Sequence, residues 1–172
     1  EKTRGGEGAG QDIHAAGGVN GQQLGVQIVD DACDPKQATA VANQLVSDKV
    51  VFVAGHYCSG SSIPASDIYK EAKILQITPA STNIKLTDDA FTKGNTTVFR
   101  TCGRDDVQGA TVGAYILKYN KNAKIAVLHD KSPYGKGAAG GTAKAVKKGG
   151  RNRAMYGAYT DSETDLPTPT PK

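Results

Sequence analysis

Between Leu24 and Ala158 the spacing of apolar and polar positions switches repeatedly between two periods. Short runs rich in β-branched residues, at 24–29, 50–54, 74–78, 98–101, 124–129 and 154–159, alternate with stretches whose apolar residues recur at helical spacing. That alternation predicts successive βαβ units on parallel sheet. The first connecting helix is the best marked. Asp34 stands as its cap, Pro35 as its first helical residue and Gln37 at capping-box spacing, and Ala38, Val41, Ala42, Leu45 and Val46 fall on one face. A second helix is predicted to start at 62–64 and bury Ala65, Ile68, Tyr69 and Ala72. A third, over 105–118, should bury Ala110, Ala114 and Leu117. A fourth, over 138–148, should bury Ala139, Ala143 and Val146, although Gly140 and Gly141 weaken it. The ends follow the pattern less well. Residues 4–16 have amphipathic spacing, yet Gly5, Gly6, Gly8 and Gly10 each cost a helix about 0.8–1 kcal/mol relative to Ala. Alternating prolines exclude a helix at 166–172.

Composition narrows the class. A chain of 172 residues suffices for one large α/β domain or two small lobes. With 38% hydrophobic and 22% charged residues it has the material for a core. A net charge of +4, without a long run of one sign, does not call for nucleic acid or a membrane surface as partner. No stretch approaches the roughly 18 consecutive apolar residues of a membrane span, and Glu1 opens a polar segment in place of a signal peptide, as in a mature or cut chain.

Three cysteines and one glycine motif carry the candidate chemistry. Cys33 and Cys58 each follow a predicted strand, and the ends of neighbouring parallel strands point the same way, so the two could meet disulfide geometry. Free buried thiols are the alternative. Cys102 is then left as a reduced core or loop residue. Gly135-Lys-Gly137-Ala-Ala-Gly140 matches the dinucleotide fingerprint, with Asp161 about 20 residues on. Its first glycine should follow the strand directly, whereas residues 130–134 intervene, so a glycine-rich helix start is the simpler reading. Catalytic and metal constellations find little support. His14, His56 and His129 lack partners at metal spacing apart from His56-x-Cys58, and Ser59 lacks the flanking glycines of a nucleophile elbow. The basic cluster Lys144, Lys147, Lys148, Arg151 and Arg153 has no interleaved aromatic residues and reads as a solvated face. No enzyme activity, cofactor or metal is therefore expected. What remains is a binding pattern. Segments 58–62, 78–83 and 130–134 all follow strands and are rich in small hydroxyl residues, and open parallel sheets bind ligands beyond the carboxyl ends of their strands. Helix-start amides beside serine and threonine hydroxyls suit a carboxylate. Ordinary capping and turn chemistry would explain the same residues one at a time.

At these residues the chain resembles the periplasmic leucine/isoleucine/valine-binding proteins of branched-chain amino-acid ABC transporters. The segments AAGGVNG at 15–21, DDACDPKQ at 30–37, GHYCSG at 55–60, PASDIY at 64–69, ITPASTN at 77–83, FRTCGRDD at 99–106 and HDKSPYG at 129–135 carry the likeness. It extends over about residues 4–165. The resemblance implies an α/β, periplasmic-binding-protein-like fold. Two Rossmann-like lobes with parallel sheets close on a small amino acid, whether leucine, isoleucine, valine or a relative such as alanine, and deliver it to a membrane ABC permease. Residues 1–100 would form the first lobe and 101–172 the start of the second. Ser59 and Thr82 would bind the ligand's carboxylate or ammonium, with Ala80 and Ser81 in the same loop, and Tyr134 would cover it from the second lobe. The family disulfide falls on Cys33 and Cys58. The family's first strand and most of its second lobe, with the acidic residue that holds the ammonium, would be missing. Gly6, Gly8 and Gly10 stand where the family has helix formers or apolar residues. Two other readings compete: a nucleotide-binding α/β enzyme, resting on the glycine motif, and a sensory receptor domain of the same fold.

Overall fold

Five of the six predicted strands pair, all in parallel, in two separate sheets. The computed structural model describes residues 2–160. Helix α1 (Lys2–Ala15) is followed by an extended segment, α2 (Pro35–Ser47), β1 (Phe52–Ala54), α3 (Ser59–Glu71), β2 (Leu75–Thr78), α4 (Lys85–Thr92) and β3 (Val98–Arg100). Then come α5 (Asp105–Tyr119), β4 (Ala126–His129), α6 (Pro133–Lys148) and β5 (Met155–Ala158). The first sheet has the order β1-β2-β3, with Ala54 opposite Ile77 and Ile77 opposite Phe99. The second pairs β4 with β5, Val127 opposite Tyr156. The predicted tail at 166–172 and Asp161 lie outside the described residues.

Local signals account for most of these elements. The Asp34 carboxylate accepts the Gln37 N–H at 2.8 Å, Pro35 opens α2, and Ala38, Val41, Ala42 and Leu45 are buried as the pattern requires. They meet Val53, Ala65, Tyr69 and Ile74 in the core of the first layer, while Leu86, Ala90 and Val98 form a smaller cluster beneath α4. Ala139 and Val146 of α6 pack on Ile125 and Val127. Cys33 and Cys58 are bonded, their α-carbons 5.4 Å apart, and Cys102 is free. Among the described residues no helix is long and apolar enough to cross a membrane.

Six elements depart from expectation. Residues 24–29 form no strand and pair with none among the described residues. His14 holds Leu24, with Nε2 2.8 Å from its carbonyl oxygen, and Gln27 donates to Asp48 at 2.8 Å. A strand exists only where a neighbour offers backbone partners, and β1, the outer strand of its sheet, pairs with β2 alone among the described residues. Val26, Ile28 and Phe52 of β1 (46%) remain half exposed, and Val51 just before it is almost wholly exposed (84%). Helix α1 forms despite its glycines, α4 arises where no element was predicted, and α3 and α6 begin three and five residues before their expected first turns. The correction to α5 concerns its face. Ala110 and Ala114 are exposed and Leu117 is half-buried, and the buried positions are Asp105, Gly109 and Gly113. A Cβ at Gly109 would overlap the Gly141–Thr142 backbone, and one at Gly113 would overlap the Ala145 Cβ. Helices α5 and α6 therefore meet backbone to backbone through small residues, and the alanine face turns away.

Candidate functional site

The carboxyl ends of β1 and β2 lead into two segments that lie against each other, 55–62 and 79–83. Ser59 is the first residue of α3 and is buried, and its Oγ accepts the Asn83 N–H at 3.2 Å. No side chain caps this helix, and its Ser61 and Ser62 amides both donate to the Cys58 carbonyl at 2.9 Å, at the positive end of the helix dipole. Ser81 is fully buried. Its Oγ lies 2.7 Å from Ser62 Oγ and donates towards the carbonyls of His56 (3.2 Å) and Tyr57 (3.0 Å). The Ala80 and Ser81 amides donate to Thr78 Oγ1 at 3.3 and 3.0 Å. Arg100 locks the loop from below, giving Nη1 to the carbonyls of Ser81 (2.7 Å) and Asn83 (3.0 Å) and Nη2 to Thr87 Oγ1 (2.7 Å).

Beside this loop stand polar groups without partners. Ser61 Oγ, Thr82 Oγ1 and both carboxylate oxygens of Asp105 are buried and make no hydrogen bond among the described residues. Asp105 opens α5, is 1% exposed, and gives its N–H to the Thr82 carbonyl at 3.0 Å. Burial pushes its carboxyl above the ordinary range. The nearby Thr82 hydroxyl and the Arg100 charge pull the other way.

The start of α6 reaches this cluster. Asn83 Nδ2 donates to the Pro133 carbonyl at 2.5 Å, and a Cβ on Gly60 would touch Pro133 Cδ at 3.4 Å. A Cβ on Gly137 would overlap Asp105 Oδ2, and one on Gly135 would overlap Asp130 Oδ1. These glycines, the first two of the dinucleotide-like motif, give room to protein side chains. The loop before them is fixed by Asp130, which accepts from Ser132 Oγ at 2.7 Å and is held below the usual carboxylate range chiefly by that bond.

The structure thus brings Ser59, Ala80, Ser81 and Thr82 together. Tyr134 follows Pro133, which Asn83 of this cluster holds. It is half exposed and lines a cavity of about 420 Å³ with Ile116, Ile125, Val127, Ala138 and Tyr159. Sequence reasoning missed Asp105, Asn83 and Arg100 as parts of the cluster. Arg100 and Asp105 were visible only as members of the 99–106 segment, and Asn83 only as the end of a turn-rich loop. Among the described residues no three His, Cys, Asp or Glu side chains are grouped to hold a metal ion.

Two parallel sheets, with a hydroxyl-lined cluster at the strand ends of the first facing a helix that follows a strand of the second, give the chain an α/β architecture. The chain belongs to the periplasmic binding protein family, whose sequence pattern matches residues 5–169. It is 48% identical over 164 residues to an amino acid binding protein of Pseudomonas aeruginosa, covering 95% of this chain and 43% of that one. It is 46% identical over 168 residues to the Leu/Ile/Val-binding protein of Escherichia coli, covering 98% and 45%. The chain thus spans less than half the length of these curated relatives. Among solved structures it is similar to a branched-chain amino-acid transporter substrate-binding protein of Streptococcus pneumoniae in complex with isoleucine. That match has a TM-score of 0.81 at 27% identity and covers 95% of this chain and 45% of that one. A Desulfitobacterium hafniense ABC transporter substrate-binding protein in complex with Leu gives a TM-score of 0.73 at 28% identity, covering 93% and 47%.

Proposed function

We propose that this chain forms the gripping half of a periplasmic, non-enzymatic solute-binding protein that captures an aliphatic amino acid for a membrane ABC permease. Residues 1–100 act as the first lobe and residues 101–172 begin the second. The observation that carries this reading is the cluster of buried but unpartnered Ser61, Thr82 and Asp105 oxygens beside the uncapped start of α3. Buried polar groups normally find partners within the fold. Those that do not are suited to a zwitterion, which must replace several hydrogen bonds at once on leaving water. In this reading Ser59 and the first amides of α3 take the carboxylate. The Ala80 carbonyl and the Thr82 hydroxyl take the ammonium, Ser81 holds their loop in place, and Tyr134 swings over the bound ligand from the second lobe. The names of the relatives support leucine, isoleucine or valine as the ligand class.

Calorimetric titration of leucine, isoleucine, valine and alanine tests the site, using the protein at the full length of its relatives. Thr82→Ala should weaken binding by about 1.5–3 kcal/mol, the scale of a hydrogen bond to a charged group. Ser59→Ala should also weaken it. Unchanged affinity in both variants overturns the assignment.

A further inference from the structure

His56 takes no part in the proposed contacts with ligand, yet four segments meet on it. Its imidazole, 5% exposed, lies between two partners, with Nδ1 2.5 Å from Asp31 Oδ2 and Nε2 2.9 Å from the Tyr69 hydroxyl. The ring stacks on Tyr69 at a centroid distance of 5.8 Å and an angle of 22°. A carboxylate can only accept, so Nδ1 carries the hydrogen, and in the neutral ring Nε2 accepts the Tyr69 O–H. Burial, and secondarily the Asp31 charge, push the Tyr69 hydroxyl far above its ordinary pKa and keep that proton in place. The second oxygen of Asp31 accepts the Cys33 N–H at 2.8 Å, in a turn where Ala32 and Cys33 have φ of 49° and 57°.

The backbone of the same residue faces the ligand loops. The His56 carbonyl lies within hydrogen-bond reach of three hydroxyls, Ser62 Oγ at 3.1 Å, Thr78 Oγ1 at 2.6 Å and Ser81 Oγ at 3.2 Å. Thr78 Oγ1 in turn receives the Ala80 and Ser81 amides. A carbonyl shared by three donors holds them in place only if its own orientation is fixed, and the ring, tied at both nitrogens, fixes it. We propose that the Asp31–His56–Tyr69 chain is a positioning relay: it sets the 78–83 loop from behind and so governs ligand affinity without touching the ligand. The affinity part rests on the amino-acid site proposed above, whereas the effect on the loop does not.

Tyr69→Phe deletes one oxygen and keeps the stacked ring, and Asp31→Asn provides a second, independent break. Both are to be made in the protein at the full length of its relatives and studied well below their unfolding temperatures. Three readouts apply: residue-resolved hydrogen exchange, calorimetric leucine affinity, and the ¹⁵N shifts of the His56 ring. Wild-type protein should show the Nδ1–H tautomer. Each variant should exchange the Ala80, Ser81 and Asn83 amides about tenfold faster while α5 amides are unchanged, and should bind leucine about tenfold more weakly, as expected for one lost buried hydrogen bond. Exchange that is unchanged at 80–83, or raised equally in α5, overturns the relay. A wild-type protein that binds no amino acid overturns the ligand reading instead, and the exchange comparison still decides the relay.

Discussion

Asp105 carries a carboxylate out of water with less compensation from Thr82 and Arg100 than its burial costs, and the fold loses stability for it at neutral pH. Its pKa is raised in the folded state, so the folded chain holds the proton to higher pH than the unfolded chain does. The contribution of the group is therefore most favourable below the ordinary carboxylate range and is lost as pH rises through the raised value. Asp105→Asn removes the charge and should stabilise the chain at pH 7 by on the order of 1–3 kcal/mol. That gain should shrink towards zero as pH is lowered into the range where wild-type Asp105 is protonated. Urea unfolding of both proteins across that range checks it. Little of this was legible beforehand. The sequence identified Asp105 as the first residue of a helix, where an acidic side chain is ordinary dipole chemistry. Its burial depends on Asn83 and Gly137 closing over it from segments tens of residues away, and such a meeting leaves no local period.

At the scale of elements, apolar periodicity read the α2 and α6 faces correctly and read α5 a quarter-turn wrong. The reason lies in what periodicity measures. It counts side chains that gain by leaving water, whereas α5 is packed through Gly109 and Gly113, four residues apart, which contribute closeness and no apolar side chain. Gly109→Ala drives a methyl into the α6 backbone and should cost about 1–3 kcal/mol, as overpacked interfaces do. In α1 the opposite holds. A Cβ at Gly5 or Gly8 meets nothing within 4 Å, so Gly5→Ala and Gly8→Ala should each stabilise by up to about 1 kcal/mol and raise helical circular dichroism. The extended run at 24–29 shows the other limit of pattern reading. β-rich composition makes a segment ready to pair, but only a neighbour makes it a strand.

For the molecule as a whole, the Cys33–Cys58 bridge joins that unpaired run to the start of α3 across 25 residues of sequence. Reducing it should lower stability by roughly 3 kcal/mol on the loop-entropy argument, seen as a lower urea midpoint with reductant present. The bridge was open to inference from the positions of its cysteines just beyond two β-rich runs, although the first of those runs forms no strand. The meeting of α6 with the first-sheet loops was not, since it depends on how two sheets lean together. The outer side of β1 has a further consequence, for behaviour in concentrated solution. Its amides, unpaired among the described residues and with Val51 and Phe52 exposed beside them, form a template onto which another extended segment can add. Left to itself, the 172-residue chain should self-associate as its concentration rises, giving growing sedimentation coefficients and a thioflavin-positive fraction. Phe52→Lys, which puts a charge on that edge, should suppress both.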